Sequence, residues 1–329
     1  MRVLVTGAAG YVGGAVLDAL LAAGHEPVAH VHGAPCRVPA GVPVCIGDLL
    51  DDGPNGSGDH NGLVAALAGV DAVCHLAGLT RVRESWDRPL DYFAVNVGGT
   101  VAVLRAMESA GVDRLVLAST AACYGSPARQ PMAEQLPDDP PHPYASSKVA
   151  AESVIGWEAR RRPLSAVVLR LFNAAGGAHP GPAGLIPRVL AVAEGQSPEL
   201  AVNGDGGVVR DYLHVTDAAA AFVAALHRPP PPGTVSRYNI GSGVGSSIAD
   251  VVATAARVTG RPVPVRHNPP AAEPARLVCD PALALAELGW RPRLPDLESV
   301  LREAWRDRSE AWRDRSADQP EQGRGEPTT

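Results

Sequence analysis

Short apolar runs alternate with longer amphipathic segments over roughly the first 250 positions of the chain. The run Val3–Val5 ends in a glycine-rich turn, after which apolar residues recur at a helical spacing up to Gly24. The segments EPVAHVH and VPVCIGDL predict the next two strands. Further strands and helices follow in the order VDAVCHLAG, DYFAVNVGGTVAVLRAMESAG, VDRLVLAST, PYASSKVAAESVIGWEARR and LSAVVLRLFN. Strands that are apolar on both faces and separated by amphipathic helices predict an α/β fold with a parallel sheet covered on both sides.

The alternation weakens from about residue 173, where proline and glycine become more frequent. We therefore expect a Rossmann-type doubly wound domain formed by residues 1–172 and 213–250, with a smaller C-terminal substrate-binding lobe formed by 173–212 and 251–316. The polar, glycine-rich segment 51–62 and the tail 317–329 are expected to lack order. The tandem repeat EAWRDRS predicts a surface helix lengthened by two turns.

Composition narrows the class of protein. The 329 residues carry a net charge of -6, which gives no electrostatic reason to expect a nucleic acid or an acidic membrane surface as partner. The five cysteines show no paired spacing, and neither a secretory signal nor an apolar run of about 20 residues is present. These features predict a cytoplasmic enzyme that does not bind a membrane, and no pattern predicts a metal site.

The turn TGAAGYVG places Gly7, Gly10 and Gly13 between a strand and a helix. Gly7 permits the tight exit from the strand, Gly10 lets a pyrophosphate approach the backbone, and Gly13 lets the helix pack close to the sheet. The spacing predicts a dinucleotide site. The second strand ends in Val31 and His32 rather than in the acidic residue that binds a free ribose 2′-hydroxyl. NADP therefore stays possible beside NAD, and its 2′-phosphate would contact His32 or Arg37.

Lys148 is the only lysine in the chain, whereas arginine occupies the other 28 basic positions. It follows Tyr144 by four residues, so a helix places both side chains on one face. A nearby ammonium group, like a positively charged nicotinamide ring, lowers the pKa of a phenol and makes it a usable base. A third catalytic group is expected where the preceding strand ends, at Ser119 and Thr120. Thr120 is the better candidate, and Ser119 is then a residue that only caps the end of the strand.

These motifs together resemble the extended short-chain dehydrogenase/reductases, and within them the UDP-galactose 4-epimerase branch. The resemblance runs from residue 1 to about 305, and its most restrictive pieces are LRLFNAAGGAHP and VVRDYLHVTDAA. It implies NAD as cofactor, with Asp48 and Leu49 at the adenine. The residues implied at the dinucleotide are Gly7, Gly10, Tyr11, Val12, Gly13, Asp48, Leu49, Leu76, Ala77, Gly78, Asn96, Tyr144, Lys148 and Phe172. The residues implied at the nucleotide sugar are Thr120, Tyr144, Asn173, Leu185, Asn203, Arg210 and Arg276.

Several of these positions carry alternatives. Arg210 is expected to bind a diphosphate, and the alternative is an ordinary ion pair with Asp211. Asn96 is expected at the dinucleotide, and the alternative is a local hydrogen bond inside its helix. The family's second phosphate-binding arginine is missing from PPAAEPARLVCD, so either Arg276 replaces it or the diphosphate is held more loosely. Leu277 stands where some members have a tyrosine, and the smaller leucine leaves room for an N-acetylated sugar.

The resemblance implies a nucleotide-sugar 4-epimerase that oxidises C4 to a ketone and returns the hydride to the opposite face. Tyr144, Lys148 and Thr120 are then the catalytic residues, and the substrate partner is a nucleotide-diphosphate sugar. A nucleotide-sugar ketoreductase or dehydrogenase with net NAD(P)H turnover shares the same groups, and a non-catalytic dinucleotide sensor shares the fold. Family members commonly pair through two helices, which implies a homodimer.

Overall fold

The computed structural model describes residues 1–34, 38–51, 61–177, 184–271 and 273–317. Its strands are β1 (Arg2–Thr6), β2 (Glu26–Val31), β3 (Val44–Ile46), β4 (Ala72–His75), β5 (Arg114–Thr120), β6 (Ser165–Leu171), β7 (Asn173–Ala175), β8 (Leu200–Asn203), β9 (Val209–His214), β10 (Val235–Ile240), β11 (Gly245–Ser247), β12 (Val265–Asn268) and β13 (Arg276–Leu277). Its α-helices are α1 (Tyr11–Ala22), α2 (Asn61–Ala66), α3 (Val82–Asp87), α4 (Pro89–Phe93), α5 (Gly99–Ala110), α6 (Pro143–Arg161), α7 (Leu185–Ala193), α8 (Val215–His227), α9 (Ile248–Thr259) and α10 (Leu297–Ala317).

Seven of the described strands form one parallel sheet in the order β10-β6-β5-β4-β1-β2-β3. The direction of the strand order reverses beside β1, so the carboxyl ends of β1 and β4 open a crevice at which such sheets bind ligands. The register pairs Thr6 with His75 across that edge and with His30 on the other side. This is the predicted Rossmann-type α/β fold.

Both faces of the sheet are covered by apolar helix faces. Helices α1 and α8 pack on one face, where Leu17, Leu20 and Phe222 are fully buried. Helices α5 and α6 cover the other, where Met107 and Ile155 are fully buried. Burying a side chain of this size contributes about 1.5–3 kcal/mol, which explains why the strands are apolar on both sides.

A second group of elements surrounds a separate apolar core. Strands β7, β9, β11 and β13 form a small sheet, β8 pairs with β12, and α7, α9 and α10 pack together through Leu190, Val251, Val300 and Leu301. Strand β11, from within residues 213–250, pairs antiparallel with β9 of this group.

The helix expected over DYFAVNVGGTVAVLRAMESAG is interrupted. Helix α4 is followed by a π-helical turn at Ala94–Gly98 before α5 begins. A π turn inserts one extra residue into a helix and is common near functional sites. Here it carries the buried Asn96 toward the loop that follows β4.

The remaining expectations concern the polar segments. Helix α10 spans both copies of the EAWRDRS repeat. The segment 51–62 and the tail 317–329 lie largely outside the described residues. In the part of the chain that is described, no helix has the length and apolarity that crossing a membrane requires.

Candidate active site

The three glycines of the turn after β1 are required by backbone contacts. Gly7 has a φ of +68°, and a Cβ there would lie 2.7 Å from the backbone nitrogen of Ala77. A Cβ on Gly13 would lie 2.2 Å from the carbonyl oxygen of Gly7, so α1 packs directly on the turn. On Gly10, a Cβ would touch this same oxygen at 3.0 Å. The first turn of α1 holds no acidic side chain, and no side chain caps its N-terminus. The turn is therefore a close-fitting cradle for an anion.

A buried chain of hydrogen bonds fixes the loop after β4 against this turn. The Thr6 hydroxyl accepts from the backbone N–H groups of Leu76 and Ala77, each at 3.2 Å, which leaves its proton for Nδ1 of His75 at 2.7 Å. Nε2 of His75 then donates to Thr100 at 3.1 Å. Burial lowers the pKa of His75 to about 3, so the imidazole stays neutral.

Asn96 supports the same loop from behind. Its Oδ1 accepts from the Leu79 N–H at 2.8 Å, and its Nδ2 donates to the Leu79 carbonyl and to Ser147 Oγ. A Cβ on Gly78 would lie 2.7 Å from Oδ1. These bonds join the Gly78–Leu79 loop to α6, so Asn96 fixes the position of that loop.

At the other end of the crevice, Asp48 lies beside β2. Its Oδ2 is 3.3 Å from Nε2 of His32, and its Oδ1 accepts from the Leu50 N–H at 2.9 Å. Leu49 is buried against Gly99. Arg37, the other predicted partner of a 2′-phosphate, lies outside the described residues.

Tyr144 and Thr120 meet at the carboxyl end of β5. Thr120 ends the strand, and its hydroxyl lies close enough to the Tyr144 hydroxyl to lower the pKa of that phenol. The imidazole of His142 caps α6 by accepting from the Ala145 N–H, and its ring stacks on that of Tyr144 with 8° between the planes. A cleft opens over these groups, and its lining includes Thr120, Tyr144, Phe172, Asn173, Arg210 and Leu277.

Ser119 is excluded from this cleft. Its hydroxyl is buried and donates to the carboxylate of Glu152 on the far side of the strand. Thr120 is therefore the strand-end hydroxyl that can reach a substrate.

Burial controls the pKa values of both groups on α6. It raises the pKa of Tyr144 to about 12, and the Thr120 hydroxyl opposes this rise only in part. Burial likewise lowers the pKa of Lys148 to about 8. That a nearby cation, such as Lys148 or a nicotinamide ring, makes the phenol a usable base stays a prediction.

Beyond the cleft lies a second cavity of about 600 Å³ between α7, β8 and β9, whose lining includes Asn173, Leu185, Asn203 and Arg210. Arg210 donates to the Pro274 carbonyl at 2.7 Å and pairs with Glu273 at 2.9 Å. The carboxylate of Asp211 instead accepts from Ser242, Gly243 and Cys279. The alternative pairing of Arg210 with Asp211 is therefore wrong.

Arg276 is not brought to either cavity. Its side chain is exposed, and its carbonyl accepts from Gln130. Four other arginines line the second cavity instead: Arg81, Arg83, Arg188 and Arg308. Sequence reasoning missed them because arginine is the default cation of this chain and no motif marks them.

Comparison with known proteins agrees with this geometry. Residues 3–241 match the family model "NAD dependent epimerase/dehydratase family". The chain belongs to this family. Its relatives include the UDP-glucose 4-epimerase of Streptomyces lividans, which is 39% identical over 320 residues, covering 92% of this chain and 95% of the relative.

Solved structures of the family superpose over nearly the whole chain. The UDP-glucose 4-epimerase of Stenotrophomonas maltophila, with bound NAD and formylated UDP-arabinopyranose, has a TM-score of 0.86 at 32% identity, covering 95% of this chain and 99% of that one. The Bifidobacterium longum enzyme, in complex with NAD+ and UDP, has a TM-score of 0.85 at 28% identity, covering 94% and 98%. The glycine cradle and the acid-free start of α1 fit the pyrophosphate of the family's NAD.

Proposed function

We propose that the protein is a nucleotide-sugar 4-epimerase of the UDP-glucose/UDP-galactose type. The observation that carries the proposal is that Tyr144 and Thr120 line one cleft together with Arg210 and Asn173. A base, a hydroxyl relay and a phosphate-binding cation thus share one cleft beside the glycine cradle.

The proposed roles follow from these positions. The hydroxyl at C4 of the sugar donates its proton to Tyr144 Oη, directly or through Thr120 Oγ1, and the same groups return it after the sugar turns over. The guanidinium of Arg210 holds the diphosphate by paired hydrogen bonds, displacing Glu273, while Asn173, Leu185 and Asn203 line the nucleotide end. NAD, when bound, would supply the acceptor and later the donor of the C4 hydride, and its positive charge would favour the phenolate that burial opposes.

We propose that Gly7, Gly10, Tyr11, Val12 and Gly13 hold the pyrophosphate. Leu76, Ala77, Gly78, Phe172 and Lys148 line the nicotinamide end, and Asp48 and Leu49 the adenosine end. NAD is preferred over NADP because the Asp48 carboxylate lies 3.3 Å from His32. A 2′-phosphate placed on His32 would meet that negative charge.

Residues 1–172 and 213–250 are proposed to form the dinucleotide-binding domain, and 173–212 and 251–316 the sugar-nucleotide lobe. A cytoplasmic location is proposed as well. The described cysteines Cys45, Cys74, Cys123 and Cys279 are free thiols, as a reducing compartment maintains.

A second copy of this chain is the proposed partner, in a homodimer formed through neighbouring helices. Trp86, Leu90 and Phe93 on α3 and α4 and Trp157 on α6 are exposed, with Leu90 81% and Trp157 66% accessible. Helix α4 packs on α6, where Tyr92 meets Tyr144 edge to face. Exposed apolar surface of this kind marks interaction sites.

The test of the activity uses purified protein with UDP-galactose and no added cofactor. We expect conversion to UDP-glucose, approached from either sugar, with no stoichiometric change in absorbance at 340 nm. Net NADH formation or consumption matching the sugar converted would instead identify a dehydrogenase or ketoreductase. Absence of any conversion, with NAD bound, would refute the proposed substrate class.

A further inference from the structure

A buried cluster of charges lies beneath the catalytic cleft and has no part in the roles above. Glu152 is on α6, four residues after Lys148 and eight after Tyr144, so its side chain lies on the same helix face. It is 6% exposed. A buried carboxylate requires compensation by cations and hydrogen bonds, and its partners show what it joins.

Each oxygen of Glu152 has partners on the strands below. Oε1 accepts from Nε of Arg170 at 3.0 Å and from the Ser119 hydroxyl. Oε2 accepts from Nη2 of Arg170 at 2.7 Å and lies 3.0 Å from Nη2 of Arg237. The carboxylate therefore ties α6 to β5, β6 and β10 through Ser119, Arg170 and Arg237.

Arg170 extends this connection to the segment that leads into α6. It is fully buried, its Nη1 lies 2.6 Å from Asp138, and its guanidinium lies 4.5 Å from the ring centre of Tyr124. Asp138 also lies 4.0 Å from Arg237. The charges of two arginines and two carboxylates thus balance, with Arg170 and Glu152 buried and Arg237 and Asp138 partly exposed.

The connection reaches both halves of the catalytic pair. Ser119 is the immediate neighbour of Thr120 on β5, while Glu152 shares its helix with Tyr144 and Lys148. A shift of α6 along the sheet would move the Tyr144 phenol away from the Thr120 hydroxyl, with which it shares the cleft.

The groups that face Lys148 add an electrostatic role. Cys123 approaches from the turn after β5, His75 from β4, and Glu152 from the same helix. Burial raises the pKa of Cys123 to about 12 and lowers that of His75 to about 3, so both are neutral. The negative charge that supports the ammonium group is therefore that of Glu152.

We infer that Glu152 is a positioning residue, which holds Tyr144, Lys148 and Thr120 in register and keeps the charge on Lys148. The inference rests on the proposed function only for its kinetic test. Its other test follows from the sequence: Lys148 is the only lysine, so protein labelled with 13Cε-lysine gives one side-chain signal whose pH titration belongs to Lys148 alone.

The variant is Glu152→Gln, and the matched control is Glu158→Gln. Glu158 lies on the same helix and also pairs with two arginines, Arg161 and Arg162, but its bonds do not reach β5 or β6. In Glu152→Gln we expect Lys148 to titrate at lower pH than in the wild type, because a supporting negative charge is lost while both arginines remain. In Glu158→Gln the titration is expected to stay at the wild-type position.

The kinetic expectation is a selective loss of turnover. Glu152→Gln should lower kcat by roughly 10-fold to 100-fold, since the reacting groups are displaced. The decrease of kcat at alkaline pH should also begin at a lower pH, because Lys148 loses its proton earlier. The KM for the nucleotide sugar should change by no more than about twofold, because the lobe that binds it is untouched.

Arg237→Gln keeps the inference testable if Glu152→Gln does not fold. Arg237 is 36% accessible and its loss removes a positive charge, so Lys148 should titrate at higher pH, opposite to Glu152→Gln. A Lys148 titration unchanged in both variants, or a kcat in Glu152→Gln equal to that of Glu158→Gln, overturns the inference. A wild type inactive on UDP sugars refutes the proposed function alone, since the titrations of Lys148 do not depend on it.

Discussion

At the scale of single residues, a lone lysine and a glycine spacing identified much of the candidate site. Tyr144 and Thr120 lie together as the motifs predict. The pKa of Tyr144 could not be predicted, because the free energy of removing a phenol from water depends on packing around it rather than on its neighbours in the chain. The position of Arg276 outside both cavities could not be predicted either, since only the fold decides which arginine points into a cavity.

Gly13 offers a prediction at this scale. In Gly13→Ala the new methyl group would lie 2.2 Å from the Gly7 carbonyl oxygen, so the turn must move. We expect a loss of about 1–3 kcal/mol in the free energy of unfolding, as for other overpacked sites, and a clear rise in the Kd for NAD.

The control is Gly156→Ala, in the middle of α6, where a Cβ meets no atom within 4 Å. It should gain about 1 kcal/mol from helix propensity and leave NAD binding unchanged. Thermal unfolding and NAD titration of both variants provide the measurement. Equal stability of the two variants would contradict the described contact.

At the scale of elements, apolar periodicity predicts the strands and helices around the sheet. It misses the π turn at Ala94–Gly98, because that turn depends on Asn96 bonding Leu79, a partner distant in sequence. Leu90 and Trp157 lie on the outer faces of their helices and are exposed. Packing within one chain therefore does not explain why these two positions are apolar.

Those outer faces are the proposed contact between two copies of the chain. The double variant Leu90→Glu, Trp157→Glu should be monomeric in sedimentation velocity at concentrations where the wild type is a dimer, because like charges on the two helix faces would oppose their contact. Leu285→Glu, on an exposed leucine remote from α4 and α6, is the control and should leave the dimer intact. A wild type that sediments as a monomer contradicts the proposed dimer.

At the scale of the whole molecule, strand order and the position of β1 follow from general rules for parallel sheets, so the crevice was predictable. The position of the second cavity between α7, β8 and β9 was not predictable, because those elements come together through a shared apolar core of residues that lie far apart in the chain. The fold thus places Arg210, Tyr144 and Thr120 in one cleft.

The most direct measurement is the rate of UDP-galactose epimerisation by Tyr144→Phe beside Tyr92→Phe. The ring of Tyr92 lies 6.3 Å from that of Tyr144, but its hydroxyl donates to the Arg81 carbonyl. Removing the Tyr144 hydroxyl should lower kcat by about 100-fold or more, the usual contribution of a positioned acid or base, while NAD stays bound and Tyr92→Phe keeps most of its activity. A Tyr144→Phe enzyme that turns over as fast as the wild type would contradict the account.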